Sequence, residues 1–166
     1  GEWMDIEFVC EIDPVAAREC LQPQLPRGFA LHEVQAVPVS GPSLSQELVG
    51  ACWELQLQPV AGSLPAEAWQ GAVDELLASE SWIWNDTDKK GRPRQRDCRP
   101  YLQSLEWAAA PRIGSVCLRY SAEVDPAGRS LRPEQLQHWF AERMAVELEM
   151  VSLRRESLQL QQSANP

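Results

Sequence analysis

Two stretches of this chain alternate apolar and polar residues with a period of two. In Ala51–Val60, Trp53, Leu55 and Leu57 alternate with Glu54, Gln56 and Gln58. In Gly114–Val124, Val116, Leu118, Tyr120 and Ala122 share one parity. Successive side chains of a strand point to opposite faces, so each stretch predicts a strand with one buried face. Between them, Ala66–Ala78 sets Trp69, Val73, Leu76 and Leu77 at helical spacing. A doubly wound parallel sheet needs solidly apolar strands covered on both sides. One-sided strands interleaved with amphipathic helices instead predict an α+β fold, with a mixed or antiparallel sheet and helices on one face.

The other segments complete the expected order. Met4, Ile6, Phe8 and Cys10 alternate as a strand would, and Leu31–Val39 is a second extended run. Between them Asp13-Pro14 reads as an N-cap followed by a proline in the first helical turn, opening a helix to Leu21 or Leu25. Leu44–Val49 suits a short helical turn. Ser81–Trp84 predicts a strand and Asn85–Gly91 a turn, whose arms pair as a hairpin. Cys98–Trp107 stays ambiguous, because Leu102 and Leu105 fit a helical face while Arg99-Pro100 interrupts any continuous element. Arg132-Pro133-Glu134 opens a helix through Leu136, Trp139, Phe140 and Met144, and Glu147–Leu160 reads as a strand bulged near Leu153. The expected architecture is a ferredoxin-like βαββαβ unit over 1–88. A basic hairpin and a second α+β (βαβ) unit over 89–160 pack against it, and 161–166 form a disordered tail.

Composition removes several functional classes. The chain has 166 residues, 44% of them hydrophobic, enough to cover a core. No run of 18 apolar residues exists to cross a membrane, and the start lacks a basic, apolar leader, so the expected location is cytoplasmic. The cysteines Cys10, Cys20, Cys52, Cys98 and Cys117 include no CxxC pair, which points to free thiols and to no metal or iron–sulfur site in this chain. Only His32 and His138 are available as histidine ligands, and both are expected on polar faces. Neither a GxGxxG nor a GxxxxGK[ST] phosphate loop occurs, nor a GxSxG elbow or HExxH. No catalytic residue is nominated.

The charge is unevenly spread. A net charge of −9 argues against nucleic-acid binding by the overall field. Yet residues 1–83 hold 13 acids and only two bases, Arg18 and Arg27, whereas 84–166 hold 11 acids and 13 bases. Six bases fall within 89–99: Lys89, Lys90, Arg92, Arg94, Arg96 and Arg99. Arg92, Arg94 and Arg96 are two residues apart, so on an extended strand their guanidinium groups share a face that suits phosphates or carboxylates. Trp82, Trp84 and Trp107 flank the segment, and aromatic rings beside arginines suit stacking on RNA bases. The competing explanations are a solvated hairpin whose charges deter edge pairing, and tryptophans that only pack one strand face. Asp97 is a candidate ion-pair anchor beside Arg96 or Arg99. Cys98 is the one thiol whose basic neighbours are expected to lower its pKa.

Three stretches resemble the radical-SAM-linked conserved hypothetical proteins of bacteria, a family of unknown function. They are Gly1–Phe8 followed by Asp13-Pro14, the basic Lys89–Leu105, and Gly114–Ala122 followed by Arg132–Leu136. The middle stretch carries a D-x-R-P pattern as Asp97, Arg99 and Pro100, with Leu102 and Leu105 at its apolar positions. The resemblance implies a companion of radical-SAM enzymes, often fused behind a cobalamin-binding radical-SAM module. S-adenosylmethionine, [4Fe-4S] and cobalamin would then belong to the fused or partner domain, and no cofactor to this chain. Relative to that family the chain is expected to lack an N-terminal segment. The implied role is a noncatalytic accessory domain that recognises a substrate, RNA above all and not DNA, through 89–99. The alternatives are a domain that docks a radical-SAM enzyme, and a fragment of an RNA-modifying enzyme whose active site needs the preceding region.

Overall fold

The computed structural model describes residues 2–87, 90–110 and 114–161. The element order is α1 (Pro14–Leu21), α2 (Leu44–Glu47), β1 (Leu48–Pro59), α3 (Ala66–Ala78), β2 (Ile83–Thr87), β3 (Pro93–Asp97), β4 (Leu102–Ala109), β5 (Val116–Glu123), α4 (Pro133–Met144) and β6 (Leu148–Leu160), with short 3-10 turns at Gln22–Gln24 and Arg99–Tyr101. The chain divides into two compact units. One is Met4–Leu44; the other is Gly1–Trp3 with Ser45–Pro166.

The larger unit holds an antiparallel four-stranded sheet in the order β4-β5-β1-β6. Read along the chain, β1-α3-β4-β5-α4-β6 is a βαββαβ unit with ferredoxin-like strand order. The hairpin β2–β3 is inserted between α3 and β4 as a separate two-stranded sheet. The expected class is therefore met: an α+β fold with an antiparallel sheet and helices on one face. Its strands come from different segments than anticipated, starting at Leu48, and the hairpin lies inside the βαββαβ order.

The one-sided alternation explains the layers. Leu55 and Leu57 of β1, Val116, Leu118 and Tyr120 of β5, Trp69 and Leu76 of α3, and Leu136 and Phe140 of α4 form one buried cluster. Each fully buried Leu or Phe contributes about 1.5–3 kcal/mol relative to exposure. The alternate residues of β1 and β5 lie on the other face, where Arg119 pairs with Glu54 at 2.7 Å. β4 settles the ambiguity of Cys98–Trp107. Its register against β5 shifts between Leu102 and Ser104, so Leu102 and Leu105 both reach the core although they are three residues apart. A β-bulge thus produced a spacing that resembled a helix. In β6 the register skips Val151 and Glu156, two irregularities on either side of Leu153.

In the Met4–Leu44 unit, Asp13 caps α1 by accepting from the amides of Val15 at 2.9 Å and Ala16 at 3.1 Å, as expected. The Gln22 side chain accepts from the Leu31 amide at 2.7 Å, and Asp5 accepts from the Leu44 amide at 2.8 Å. The two strands expected at Met4–Cys10 and Leu31–Val39 do not form. Alternation prepares a face but supplies no ladder partner, and Pro38 removes one donor from the second run. Most of their apolar residues remain exposed: Met4 is 69% accessible and Val39 90%. Of the tail expected at 161–166, residues 162–166 lie outside the described residues. No helix among the described residues is long and apolar enough to cross a membrane.

Candidate nucleic-acid interface

The inserted hairpin pairs Trp84 with Arg96 and Asp86 with Arg94. Directly opposed residues of an antiparallel pair share a face. Trp84, Asp86, Arg94 and Arg96 therefore line one side of a cleft of about 180 Å³. The facing side is Gly128–Ser130, Arg132 and Gln135, from the loop ahead of α4 and its first turn. Four arginines and one carboxylate line the space.

Each wall is held by bonds that the sequence does not advertise. The Gln135 side chain accepts from Arg96 Nη2 at 3.0 Å and from the Arg132 amide at 3.0 Å, tying the hairpin to the start of α4. Arg96 also lies over the Tyr101 ring, 5.5 Å from its centroid. On the other wall, Asp125 Oδ1 accepts from the amides of Ala127 and Arg129, and its Oδ2 accepts from Arg129 Nε at 2.7 Å and Tyr101 Oη at 3.0 Å. Gly128 takes φ +73° in this turn, a conformation that favours glycine. The backbone bond from Arg129, followed by its guanidinium and the Tyr101 hydroxyl, holds the Asp125 carboxyl down to about 2. The same carboxylate raises the Arg129 pKa. Trp84 meets His138 edge-on at 5.0 Å between ring centroids, and His138 Nε2 lies 3.1 Å from Glu142.

The structure sorts the residues nominated from sequence. Arg94 and Arg96 share the cleft face with Trp84. Arg92 and Lys90 are exposed in the connection ahead of β3, and neither lines the cleft. Lys89 lies outside the described residues. Trp82 is buried, 8% accessible, with its ring against Trp139, so it packs rather than presents a stacking face. Trp107 donates to Gln70 on α3 at 2.7 Å, away from the cleft lining.

Arg99 is directed inward. It donates to the carbonyls of Leu76 at 3.1 Å, Leu77 at 2.9 Å and Leu102 at 3.1 Å, satisfying the end of α3 and the start of β4. Asp97 Oδ1 accepts from the amides of Trp82 at 2.8 Å and Arg99 at 3.0 Å. It anchors the hairpin through backbone amides rather than through an ion pair. The D-x-R-P stretch is thus a brace for the fold. Cys98 is fully buried, and burial pushes its thiol pKa up despite the opposing charge of Arg96, so the activation expected from its neighbours does not occur.

Sequence reasoning missed Arg129, Arg132 and Gln135. Arg129 reads as part of a turn and Arg132 as a helix opener. Their convergence on Arg94 and Arg96 spans more than thirty residues of chain. Among the described residues no group of three or more His, Cys, Asp or Glu is placed to hold a metal ion.

No curated protein matches the chain. A chain from the crystal structure of a Cbf5-Nop10-Gar1 complex is 19% identical, with a TM-score of 0.49; the match covers 69% of this chain and 32% of that one. This chain thus spans about a third of that chain's length. A family model matches residues 1–133, four-fifths of the sequence, across all three stretches whose residues carried the resemblance apart from Glu134, Gln135 and Leu136. The chain belongs to this family, DUF2344, described as an uncharacterized protein conserved in bacteria.

Proposed function

We propose that the chain is a noncatalytic accessory domain that binds RNA and presents it to a radical-SAM module, fused or separate. The carrying observation is the convergence of Arg94, Arg96, Arg129 and Arg132 on one cleft beside Trp84. Guanidinium groups keep their charge at any physiological pH and offer forked donors that match phosphate oxygens. Arg94 is exposed on β3 and lines the cleft. The braces at Asp97, Arg99 and Gln135 fix the hairpin without using the Arg94 side chain. The radical-SAM partner comes from the resemblance carried by Lys89–Leu105.

The test is binding of a structured RNA across a salt series. Affinity falls as salt rises, with a log–log slope set by the number of phosphates neutralised. Replacing Arg94, Arg96 and Arg132 with glutamine flattens that slope and weakens binding at low salt. Absence of binding by the unaltered chain at low salt removes the reading.

A second reading is favoured by a different observation. In the Met4–Leu44 unit, Met4, Phe29, Val37 and Val39 are each at least 65% accessible. Large apolar side chains left exposed on one unit suit a protein contact. A domain that docks a radical-SAM enzyme through this unit would be captured by that enzyme, and Phe29→Ser with Val39→Ser would abolish capture without affecting RNA.

A further inference from the structure

We propose that the arginine cleft holds the terminal phosphate monoester of an RNA strand rather than an internal phosphodiester. This deepens the RNA reading above and rests on it. A groove that follows a polymer distributes its cations along the backbone path. Here the cations converge. Arg94 and Arg96 project from one wall, about 7 Å apart along β3 by the ordinary strand rise, while Arg129 and Arg132 face them from the other. The bond from Arg96 to Gln135 spans the two walls.

The lining is compact: all nine residues come from the hairpin and from the segment that leads into α4 and its first turn. A monoester carries about −1.5 to −2 charge at neutral pH and three strong acceptor oxygens, whereas an internal diester carries a single charge. Arg129 is already paired with Asp125; Arg94, Arg96 and Arg132 around one compact volume match the higher charge density. Asp86, the one carboxylate in the lining, uses Oδ1 to accept the Thr87 amide. Its second oxygen is suited to accept a ribose hydroxyl of the terminal nucleotide, beside the phosphate held by its ladder partner Arg94.

The experiment compares one short single-stranded RNA in three forms, 5′-phosphorylated, 3′-phosphorylated and with hydroxyls at both ends, by fluorescence anisotropy with the full chain. A nucleoside monophosphate is titrated separately. One phosphorylated form is expected to bind about tenfold tighter than the hydroxyl-ended form, in line with a few charge-assisted hydrogen bonds. Inorganic phosphate removes that advantage in competition. Arg94→Gln also removes it while leaving the thermal midpoint unchanged, which separates lost contact from lost fold. Equal binding of all three forms overturns the inference and leaves the RNA reading standing. Binding of the monophosphate with no RNA binding keeps the phosphate site and overturns the RNA reading. Binding of neither overturns both.

Discussion

Arg94 and Arg99 sit five residues apart in the same basic segment, yet they occupy opposite physical situations. Arg94 stands exposed on the face of a two-stranded hairpin and lines a cleft. Arg99 donates to three backbone carbonyls, closing the end of α3 and the entry to β4. Density of positive charge therefore says little about a residue's work. What separates the two is whether backbone acceptors lie within reach: Arg99 meets helix-terminal carbonyls, and Arg94 is exposed in the lining of a cleft.

The comparison breaks most visibly at Arg99. Arg99→Ala removes the guanidinium donors to Leu77 and Leu102 and one of those to Leu76, together with a partly buried charge; a loss of about 2–3 kcal/mol is expected from charge-assisted hydrogen bonds, read as a lower urea midpoint. A near-neutral result would mean that water replaces all three bonds. Asp97→Ala comes next, because two amides lose their acceptor; a cost of about 1–2 kcal/mol is expected, comparable to loss of a strong cap, again by urea unfolding. Arg94→Gln should leave stability within about 0.5 kcal/mol, as for an exposed substitution away from structural bonds. Its RNA salt slope should nonetheless fall by about 0.7–1. If Arg94→Gln instead lowered stability as much as Arg99→Ala, the division between brace and binding face would fail.

Acid sharpens the comparison from the opposite wall. The Asp125 carboxyl is held at about 2 by the Arg129 backbone and side chain and by Tyr101. A depressed folded-state pKa stabilises above the unfolded value of about 3.9, and that contribution disappears as pH falls through the folded value. Between about pH 4 and 2 the Asp125–Arg129 turn should loosen, and Asp125→Asn should remove this part of the acid dependence. Urea midpoints of the two proteins across that window provide the check. The effect should be the smallest of the set, since Arg129 is half-exposed and solvent screens the pair.

The fold was legible in sequence where one face is buried and the partner strands lie in the same unit. Ala51–Val60 and Gly114–Val124 alternate because helices cover one side of each, and both become neighbouring strands. Ala66–Ala78 is helical over the expected span. Met4–Cys10 shows that the same pattern without a ladder partner makes no strand. Leu102 and Leu105 show the converse, a strand hidden by a bulge. The basic hairpin was legible as well, since Arg94 and Arg96 are two apart on an extended arm.

By itself the sequence determined an α+β chain with one-sided strands, a basic hairpin and an N-capped first helix. All of these follow from local periodicity and local hydrogen bonding. Tertiary structure alone decided that Arg129 and Arg132 meet Arg94 and Arg96, that Arg99 turns inward and that Trp82 is buried. Those outcomes depend on which backbone atoms and side chains folding brings together from distant parts of the chain, and no local pattern encodes that proximity.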